Sequence, residues 1–572
     1  MDITGRKLIV KALLEEGVDT VFGYPGGMIT DVFDELYKTE GIRVVLPRHE
    51  QCLLHETEGY ARAKGQVGVA IVTSGPGATN VITGLADAFY DSIPLVCITG
   101  QVALDLIGND AFQEVDIVGM TRSVTKYGVT VRDRKDLGKI LRMAFHIART
   151  GKPGPVLIDI PKDIQNMSGP SEYPELMPIR GYKPNESVHI GQLKKAWKAL
   201  KGAKRPIILA GGGVRFSGAE AELLKFAEKT NVPVVTSLIG KGAIPTDHRL
   251  WVGNCGMHGR YSANQAVYNC DVLFSIGTRF NDRITGDLSD FAPNATVVHI
   301  DVDTASISRN VVVDIPVVSD AKLALTNLCE WAEPIKTKSW IEQIGQWEAE
   351  NPLSMRKDTL LSPQFIMESI DQVFKKATIV TDVGQHQMWA SQYLYMGPDR
   401  KFITSGGLGT MGFGFPAALG AKIGDPSKDV VLVTGDGGFQ MSEQELATAV
   451  CEDIDITICL LNNNYLGMVR QMQQLFYGKR YEATCLRRRT TCPENCKGPS
   501  KECPPYVPDF VKLVESFGLK GIRVEKPEDV LPALKKAKKQ KGLTLIEFCI
   551  STDELVLPMV KGGSSMSDMI LK

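Results

Sequence analysis

Along most of its length the chain repeats one pattern: a short β-branched apolar run, a turn rich in glycine and polar residues, then a helix-forming stretch. Val18 to Phe22 runs into Gly23-Tyr24-Pro25-Gly26-Gly27, and Arg43 to Leu46 leads into Arg48-His49-Glu50. Val67 to Val72 ends in Thr73-Ser74-Gly75-Pro76-Gly77-Ala78-Thr79-Asn80, Leu95 to Thr99 in Gly100-Gln101, and Val156 to Ile160 in Pro161-Lys162-Asp163. Apolar runs without alternation are strands covered on both faces, and strands separated by helices pair in parallel. Open sheets of this kind bind ligands beyond the carboxyl ends of their strands, which is where the polar residues cluster here.

The same pattern occurs in three blocks. Residues 1–165 form the first. A stretch from about Asn166 to Ser187, rich in proline, glycine, serine and charge, reads as a linker. Residues 190–335 form the second, with strands at Arg205 to Ala210, Val232 to Thr236, Val272 to Ile276 and Thr296 to Ile300 and a helix from about Ala219. A second linker covers roughly 333–362, and residues 362–550 form the third block, followed by a tail at 551–572. The fold class predicted is α/β, with three doubly wound parallel-sheet domains. A length of 572 residues suits this count, and an apolar fraction of 43% is ample for several cores. Lys+Arg 65 against Asp+Glu 66 argues against a nucleic-acid or anionic-membrane partner. The opening Met-Asp-Ile-Thr-Gly-Arg-Lys lacks the apolar core of a signal peptide, and no apolar run approaches the ~20 residues of a membrane span. The expectation is a soluble, cytoplasmic protein.

The third block carries the most informative turn. Val430-Val431-Leu432-Val433-Thr434 reads as a buried strand and delivers Gly435-Asp436-Gly437-Gly438 to its carboxyl end. A helix-forming stretch, Met441 to Val450, and a second buried run, Ile454 to Leu461, then deliver Asn462-Asn463-Asn464 to the same edge. One carboxylate and one amide oxygen on adjacent strand ends suit a hard cation such as Mg²⁺, which keeps its other positions for phosphate and water. Glycine, aspartate and asparagine are also ordinary turn formers, so two plain βα turns would look the same.

The spacing resembles the thiamine diphosphate motif, in which Gly-Asp-Gly is followed some two dozen residues later by paired asparagines; 24 residues separate Gly437 from Asn462. Eight ordered motifs extend the resemblance to the acetohydroxyacid synthase (acetolactate synthase) catalytic subunits. These are Tyr24-Pro25-Gly26-Gly27, Arg48-His49-Glu50-Gln51, Ser74-Gly75-Pro76-Gly77, Ala111-Phe112-Gln113-Glu114, Gly256-Met257-His258-Gly259, Arg279-Phe280-Asn281-Asp282-Arg283, Val383-Gly384-Gln385-His386-Gln387 and Gly407-Leu408-Gly409-Thr410-Met411-Gly412. With the tail Leu557-Pro558-Met559 they span essentially the whole chain.

The resemblance implies a role for each matching position. Glu50 is the carboxylate that engages the aminopyrimidine of thiamine diphosphate. Phe112, Gln113, Lys126 and Gly27 line the substrate side, and Arg283 stands at the mouth to pair with a 2-ketoacid carboxylate. Val383, Gln385, His386, Gly409, Met411, Gly435, Gly437, Gly438 and Met468 hold the cofactor, with Met411 beneath its bend. Asp436, Asn463 and the Tyr465 carbonyl bind Mg²⁺. In the middle block Gly211-Gly212-Gly213, Ser237, Leu238, Met257, His258, Arg279, Asp301, Asp320 and Lys152 match an FAD site whose flavin has no redox duty in the main reaction. Taken singly, Phe112 and Met411 read as core residues, Lys126 as a solvated surface lysine, and the three glycines as a tight βα turn.

The implied reaction decarboxylates pyruvate and joins the two-carbon remainder to a second pyruvate or to 2-ketobutyrate, towards branched-chain amino acids. The implied assembly is a homodimer or homotetramer with a small regulatory subunit. A flavin-dependent pyruvate oxidase or decarboxylase on the same fold, and a non-catalytic nucleotide-binding protein, are the alternatives. Three departures from the family pattern stand out. Lys152 replaces the usual arginine of an Arg-Pro-Gly-Pro turn, losing a planar two-point grip on FAD. Met472 stands where a tryptophan favours the larger acceptor. An insert at 485–503 carries Cys485, Cys492, Cys496 and Cys503, which could bind Zn²⁺ or an iron–sulfur cluster, form redox-sensitive disulfides or remain free thiols.

Overall fold

The computed structural model describes residues 2–175, 178–354, 361–494, 496 and 498–571. Parts of both expected linkers (176–177, 355–360) and two positions of the cysteine insert (495, 497) lie outside the described residues.

Eighteen strands make three six-stranded sheets, every pairing parallel. The N-terminal sheet comprises β1 (Thr20–Tyr24), β2 (Arg43–Val45), β3 (Gly68–Val72), β4 (Leu95–Gln101), β5 (Tyr127–Thr130) and β6 (Pro155–Pro161). The middle sheet comprises β7 (Pro206–Ala210), β8 (Val234–Thr236), β9 (Trp251–Asn254), β10 (Val272–Ile276), β11 (Thr296–Asp301) and β12 (Ile315–Val318). The C-terminal sheet comprises β13 (Thr378–Thr381), β14 (Phe402–Thr404), β15 (Val430–Gly435), β16 (Thr457–Asn462), β17 (Lys520–Val524) and β18 (Thr544–Cys549). Central strands are buried along their whole length, as β15 and β16 are, because helices cover both faces.

Strand order decides where ligands can sit. The N-terminal sheet runs β2-β1-β3-β4-β6-β5 and the C-terminal sheet β14-β13-β15-β16-β18-β17, the same topology twice. Each reverses direction between its first and third strands, opening a crevice at β1/β3 and at β13/β15. The middle sheet runs β9-β8-β7-β10-β11-β12, the 3-2-1-4-5-6 order of dinucleotide-binding sheets, and its crevice opens at β7/β10.

Of the contacts that join the first and last units, two bear on the site. Helix α1 (Glu50–Lys64) starts on His49, whose imidazole accepts the Gln51 N–H, and stops at Gly65 in the left-handed region (φ 76°). Eleven of its fifteen residues are buried, including His55, Glu56 and Glu58, because it lies between its own sheet and helix α3 (Gly414–Gly424) of the C-terminal unit. A Cβ on Gly59 would stand 2.0 Å from the Ala417 carbonyl oxygen, and one on Gly420 1.8 Å from that of Glu56, so the two backbones touch. Helix α2 (Ile82–Asp91) contributes the second contact, described below.

The stretches read as linkers hold more structure than expected. Ser168–Pro170 pairs antiparallel with Asp2–Thr4, tying the chain's start to the end of the N-terminal unit. The second carries a helix, Lys338–Glu350, whose Trp340 is buried and donates its indole N–H to the Pro206 carbonyl at 3.1 Å.

Candidate active site

The β13/β15 crevice holds the carboxylate singled out in the sequence. Asp436 is buried; its Oδ1 accepts the Gly437 N–H at 3.0 Å, while Oδ2 has no hydrogen-bond partner. Burial pushes its pKa up to about 7, against the opposing pull of nearby N–H groups. An unpaired carboxylate oxygen in the interior is costly, and a bound cation removes the cost. Asn463, from the end of β16, is also buried: its Oδ1 accepts the Tyr465 N–H at 3.0 Å and its amide donates to Gln385 Oε1 at 3.1 Å. Val383, Gln385, His386, Met411, Gly435, Asp436, Gly437, Gly438, Asn463, Tyr465 and Met468 line one narrow cavity of about 60 Å³. Burial drives the His386 pKa down to about 3, so the ring is neutral, and its Nε2 is unpartnered. These groups, an orphaned hard oxygen among them, fit a magnesium–diphosphate ligand.

That cavity adjoins a cleft of about 670 Å³ reaching the β7/β10 crevice. Gly212, Gly213, Ser237, Leu238, Met257, His258, Arg279, Asp301, Asp320 and Lys152 all line it, as do Arg283, Val383, Gly409, Met411, Met468 and Met472. Gly211 stands behind the lining: a Cβ there would meet the Gly277 carbonyl at 2.2 Å, so this glycine serves the close approach of two strand ends. His258 is half-buried with its Nδ1 enclosed and unpartnered, and desolvation drives its pKa down to about 4. Asp301 and Asp320 are engaged locally: Asp301 Oδ1 accepts the Asp303 N–H at 2.8 Å and Asp320 caps a helix through the Leu323 N–H at 3.0 Å. Lys152 faces Asp303 at 3.5 Å, and burial lowers its pKa. The strand order, the basic Arg279 and Lys152, and the unpartnered imidazole fit an elongated dinucleotide with an anionic centre. Arg283 is largely exposed at the rim, its Nη1 3.7 Å from Met257 Sδ.

The remaining site residues gather at the β1/β3 crevice. Glu50 Oε2 accepts from the Asn80 amide at 3.0 Å, and Gly77 lies against its other oxygen. Gly75 packs on Gln113, which adopts φ 60° despite being non-glycine, and Phe112 beside it is 83% exposed. Glu50, Gly27, Phe112 and Gln113 line neither of the two cavities. Within one chain the candidate site is therefore in two halves.

Lys126 requires a correction. It precedes β5 and so sits at the amino end of the sheet, where its ammonium bonds the Thr150 carbonyl at 2.8 Å, the Tyr182 hydroxyl at 3.2 Å and the Ile147 carbonyl; burial lowers its pKa to about 8. The lysine at the carboxyl edge is Lys162, directly after β6, which donates to the Gly27 carbonyl at 2.6 Å and faces Asp31 at 3.3 Å. The strand end at Pro161 was the signal for it.

Of the readings left open for the four-cysteine insert, a metal or cluster finds no support. Among the described residues Cys485, Cys492, Cys496 and Cys503 are free thiols, and they do not gather at ligating distance. Cys492 and Cys503 instead accept N–H groups of their own turns, from Arg489 at 3.4 Å and Ser500 at 3.2 Å. The insert's strand-like residue Cys485 bridges Tyr465, and Leu486 donates to the Asn464 carbonyl at 3.0 Å, so this segment braces the Asn463–Tyr465 turn. Among the described residues no helix is long and apolar enough to cross a membrane.

Comparison with known proteins agrees with the three sheets in order. Residues 3–120 match the thiamine pyrophosphate enzyme N-terminal TPP binding domain, residues 193–328 the central domain, and residues 382–548 the C-terminal TPP binding domain. Fold and site together define a thiamine-pyrophosphate-dependent enzyme. The acetolactate synthase isozyme 3 large subunit of Escherichia coli K12 is 43% identical, covering 100% of this chain and 98% of its own. The acetolactate synthase large subunit of Corynebacterium glutamicum is 45% identical over 99% of this chain and 90% of its own, and the probable large subunit of Methanocaldococcus jannaschii 45% over 99% and 95%. The chain belongs to the acetolactate synthase large-subunit family.

Proposed function

We infer that the chain is the catalytic subunit of an acetolactate synthase, joining two pyruvates into 2-acetolactate with loss of CO2, or pyruvate and 2-ketobutyrate into 2-aceto-2-hydroxybutyrate. The observation that carries this reading is the orphaned, buried Asp436 carboxylate beside Asn463, in a cavity that opens through Met411 and Met468 into a substrate-sized cleft. When bound, thiamine diphosphate supplies the carbon acid that adds to a 2-ketoacid and stores the electron pair left by CO2. Asp436, Asn463 and the Tyr465 carbonyl hold Mg²⁺, and neutral His386 and the Gly435–Gly438 turn line the diphosphate's path. Arg283 at the rim offers its guanidinium to the incoming carboxylate. Met411 fills the floor, and Met468 and Met472 exclude water from the reacting carbons.

Glu50 is the proton-holding carboxylate for the pyrimidine. Because it lies outside the cavity of its own chain, with exposed Phe112 beside it, the complete site takes Glu50, Gln113, Phe112 and Lys162 from a second copy. FAD occupies the β7/β10 crevice as a structural cofactor. A homodimer or larger homo-oligomer, a small regulatory partner and a cytoplasmic location complete the reading.

The test is product analysis with pyruvate, thiamine diphosphate, Mg²⁺ and FAD, with 2-ketobutyrate as competitor. Acetohydroxyacids without oxygen uptake are expected; acetaldehyde, or acetate with oxygen uptake, contradicts the reading. Met472→Trp fills the cleft with a rigid aromatic and is expected to raise the 2-ketobutyrate share by about 10-fold, the scale of one pocket contact; an unchanged product ratio would show that Met472 does not select the acceptor.

A further inference from the structure

The loop Ser405–Met411 lines the large cleft through Gly409 and Met411, yet much of what holds it comes from the N-terminal unit. Ser405 is 1% exposed. Its hydroxyl oxygen accepts the N–H groups of Gly409 at 3.0 Å and Thr410 at 2.9 Å, and its proton goes to Asp87 Oδ1 at 2.8 Å. A hydroxyl has one proton and two lone pairs, so these three bonds use it fully. Asp87 fixes the proton's direction and thereby aims both lone pairs at the loop.

One turn further along α2, Asp91 accepts the N–H groups of Gly406 at 2.9 Å and Gly407 at 2.7 Å. Positions four apart share a helix face, so both carboxylates point at the same loop. Arg62 of α1 completes the clamp, donating to Asp91 at 2.9 Å and to the Thr404 carbonyl at 2.6 Å. Asp87 and Asp91 are buried, and Asp87 lies 318 residues from Ser405 in sequence. Two titratable groups of α1 also face Asp87: His55, with Nδ1 3.9 Å from Asp87 Oδ2, and Glu58, whose carboxylate pairs with that same nitrogen at 3.1 Å and lies within 4.8 Å of Asp87. Interior carboxylates that spend their hydrogen bonds on one loop's backbone and its anchoring serine cost desolvation energy that packing alone would avoid. Gluing the two units together does not require them, since α1 and α3 already meet backbone to backbone.

We propose that Asp87 and Asp91 are positioning residues for the cofactor, acting through Ser405 and the Gly406–Gly407 backbone to preset the loop that carries Gly409 and Met411. The proposal rests on the reading of this loop as a thiamine diphosphate support. A preset loop spares the ordering cost at binding, so its loss falls on cofactor affinity more than on turnover with the cofactor saturating.

The experiment measures magnesium-dependent thiamine diphosphate binding by titration calorimetry, and kcat at saturating cofactor, for wild type, Asp87→Ala, Asp87→Asn, Ser405→Ala and the Asp87→Ala/Ser405→Ala double variant. Each alanine variant is expected to weaken binding by about 10-fold, with kcat changed less than about 3-fold. The double variant is expected to bind no worse than either single one, because Asp87 acts through Ser405. Asp87→Asn keeps an acceptor oxygen and is expected to stay within about 3-fold of wild type. Multiplying effects in the double variant, or unchanged binding in Ser405→Ala, overturns the proposal, and the serine variant decides even if Asp87→Ala fails to fold. Wild type that does not bind thiamine diphosphate at all sinks the functional reading instead.

Discussion

Asp436 and Lys126 show what single residues can reveal from sequence. Asp436 followed a strand signature of five consecutive β-branched or apolar residues, so its place at a carboxyl edge was legible, and the structure finds its Oδ2 unpaired there. Lys126 had no such anchor: β5 is half exposed along its length, carries no continuous apolar run, and left the end of the sheet to which the lysine belongs undetermined. Lys162, by contrast, directly follows a fully buried strand. Removing the negative charge while keeping the shape, Asp436→Asn, is expected to weaken magnesium-dependent thiamine diphosphate binding by about 10- to 100-fold, the range seen when a metal site's supporting groups are altered. Titration calorimetry with and without Mg²⁺ checks this, and equal affinity for both proteins would remove Asp436 from the metal site.

At the scale of elements, most central strands announce themselves and most edges do not, although the buried β13 and β18 went unread and the edge strand β2 was found. β3, β7, β10, β15 and β16 were readable as buried runs, whereas β5, β9, β12 and β17 are partly exposed and mixed in polarity, so periodicity missed them. The helix Lys338–Glu350 hid in an apparent linker although Trp340, Ile344 and Trp347 repeat at helical spacing on one face. Helix α1 carries burial that local sequence does not announce. His55-Glu56-Thr57-Glu58 looks like a solvated stretch, but all four are buried, because the helix that covers them lies some 360 residues later in the chain. Its closeness to α3 is testable. Gly420→Ala places a methyl 1.8 Å from a backbone oxygen, a clash that no rotamer relieves. The variant is expected to unfold roughly 5 °C below wild type by differential scanning calorimetry; an unchanged transition would mean that the helices can part without cost.

On the scale of the whole molecule, the units are joined by buried polar groups as well as by packing. Lys241 is fully buried beside the middle sheet and donates to the Ser391 carbonyl of the C-terminal unit at 2.6 Å. Burial, with Arg260 adding to it, pushes its pKa down to about 7. Between pH 7 and about 10 the unfolded chain binds a proton at this lysine that the folded chain does not, so its contribution to stability rises with pH across that window, by up to about 1.4 kcal/mol per unit. Lys241→Met abolishes that slope: the variant's melting temperature relative to wild type is expected to be most favourable at pH 7 and to decline towards pH 10, and a constant difference would show that the lysine stays charged.

The division of the site into two halves is the central structural claim, and it too belongs to the whole molecule. Glu50, Gly27, Phe112 and Gln113 were all legible as motifs, but which copy's cavity they serve could not be read from one chain's sequence. The most direct measurement mixes two inactive variants, Glu50→Ala and Asp436→Ala, unfolds and refolds them together, and follows acetolactate formation. If each site draws its two halves from different copies, random pairing gives mixed dimers with one intact site, and about a quarter of wild-type activity returns. If both halves come from one chain, every site in the mixture carries a lesion and activity stays at the level of the separate variants, which would contradict the account.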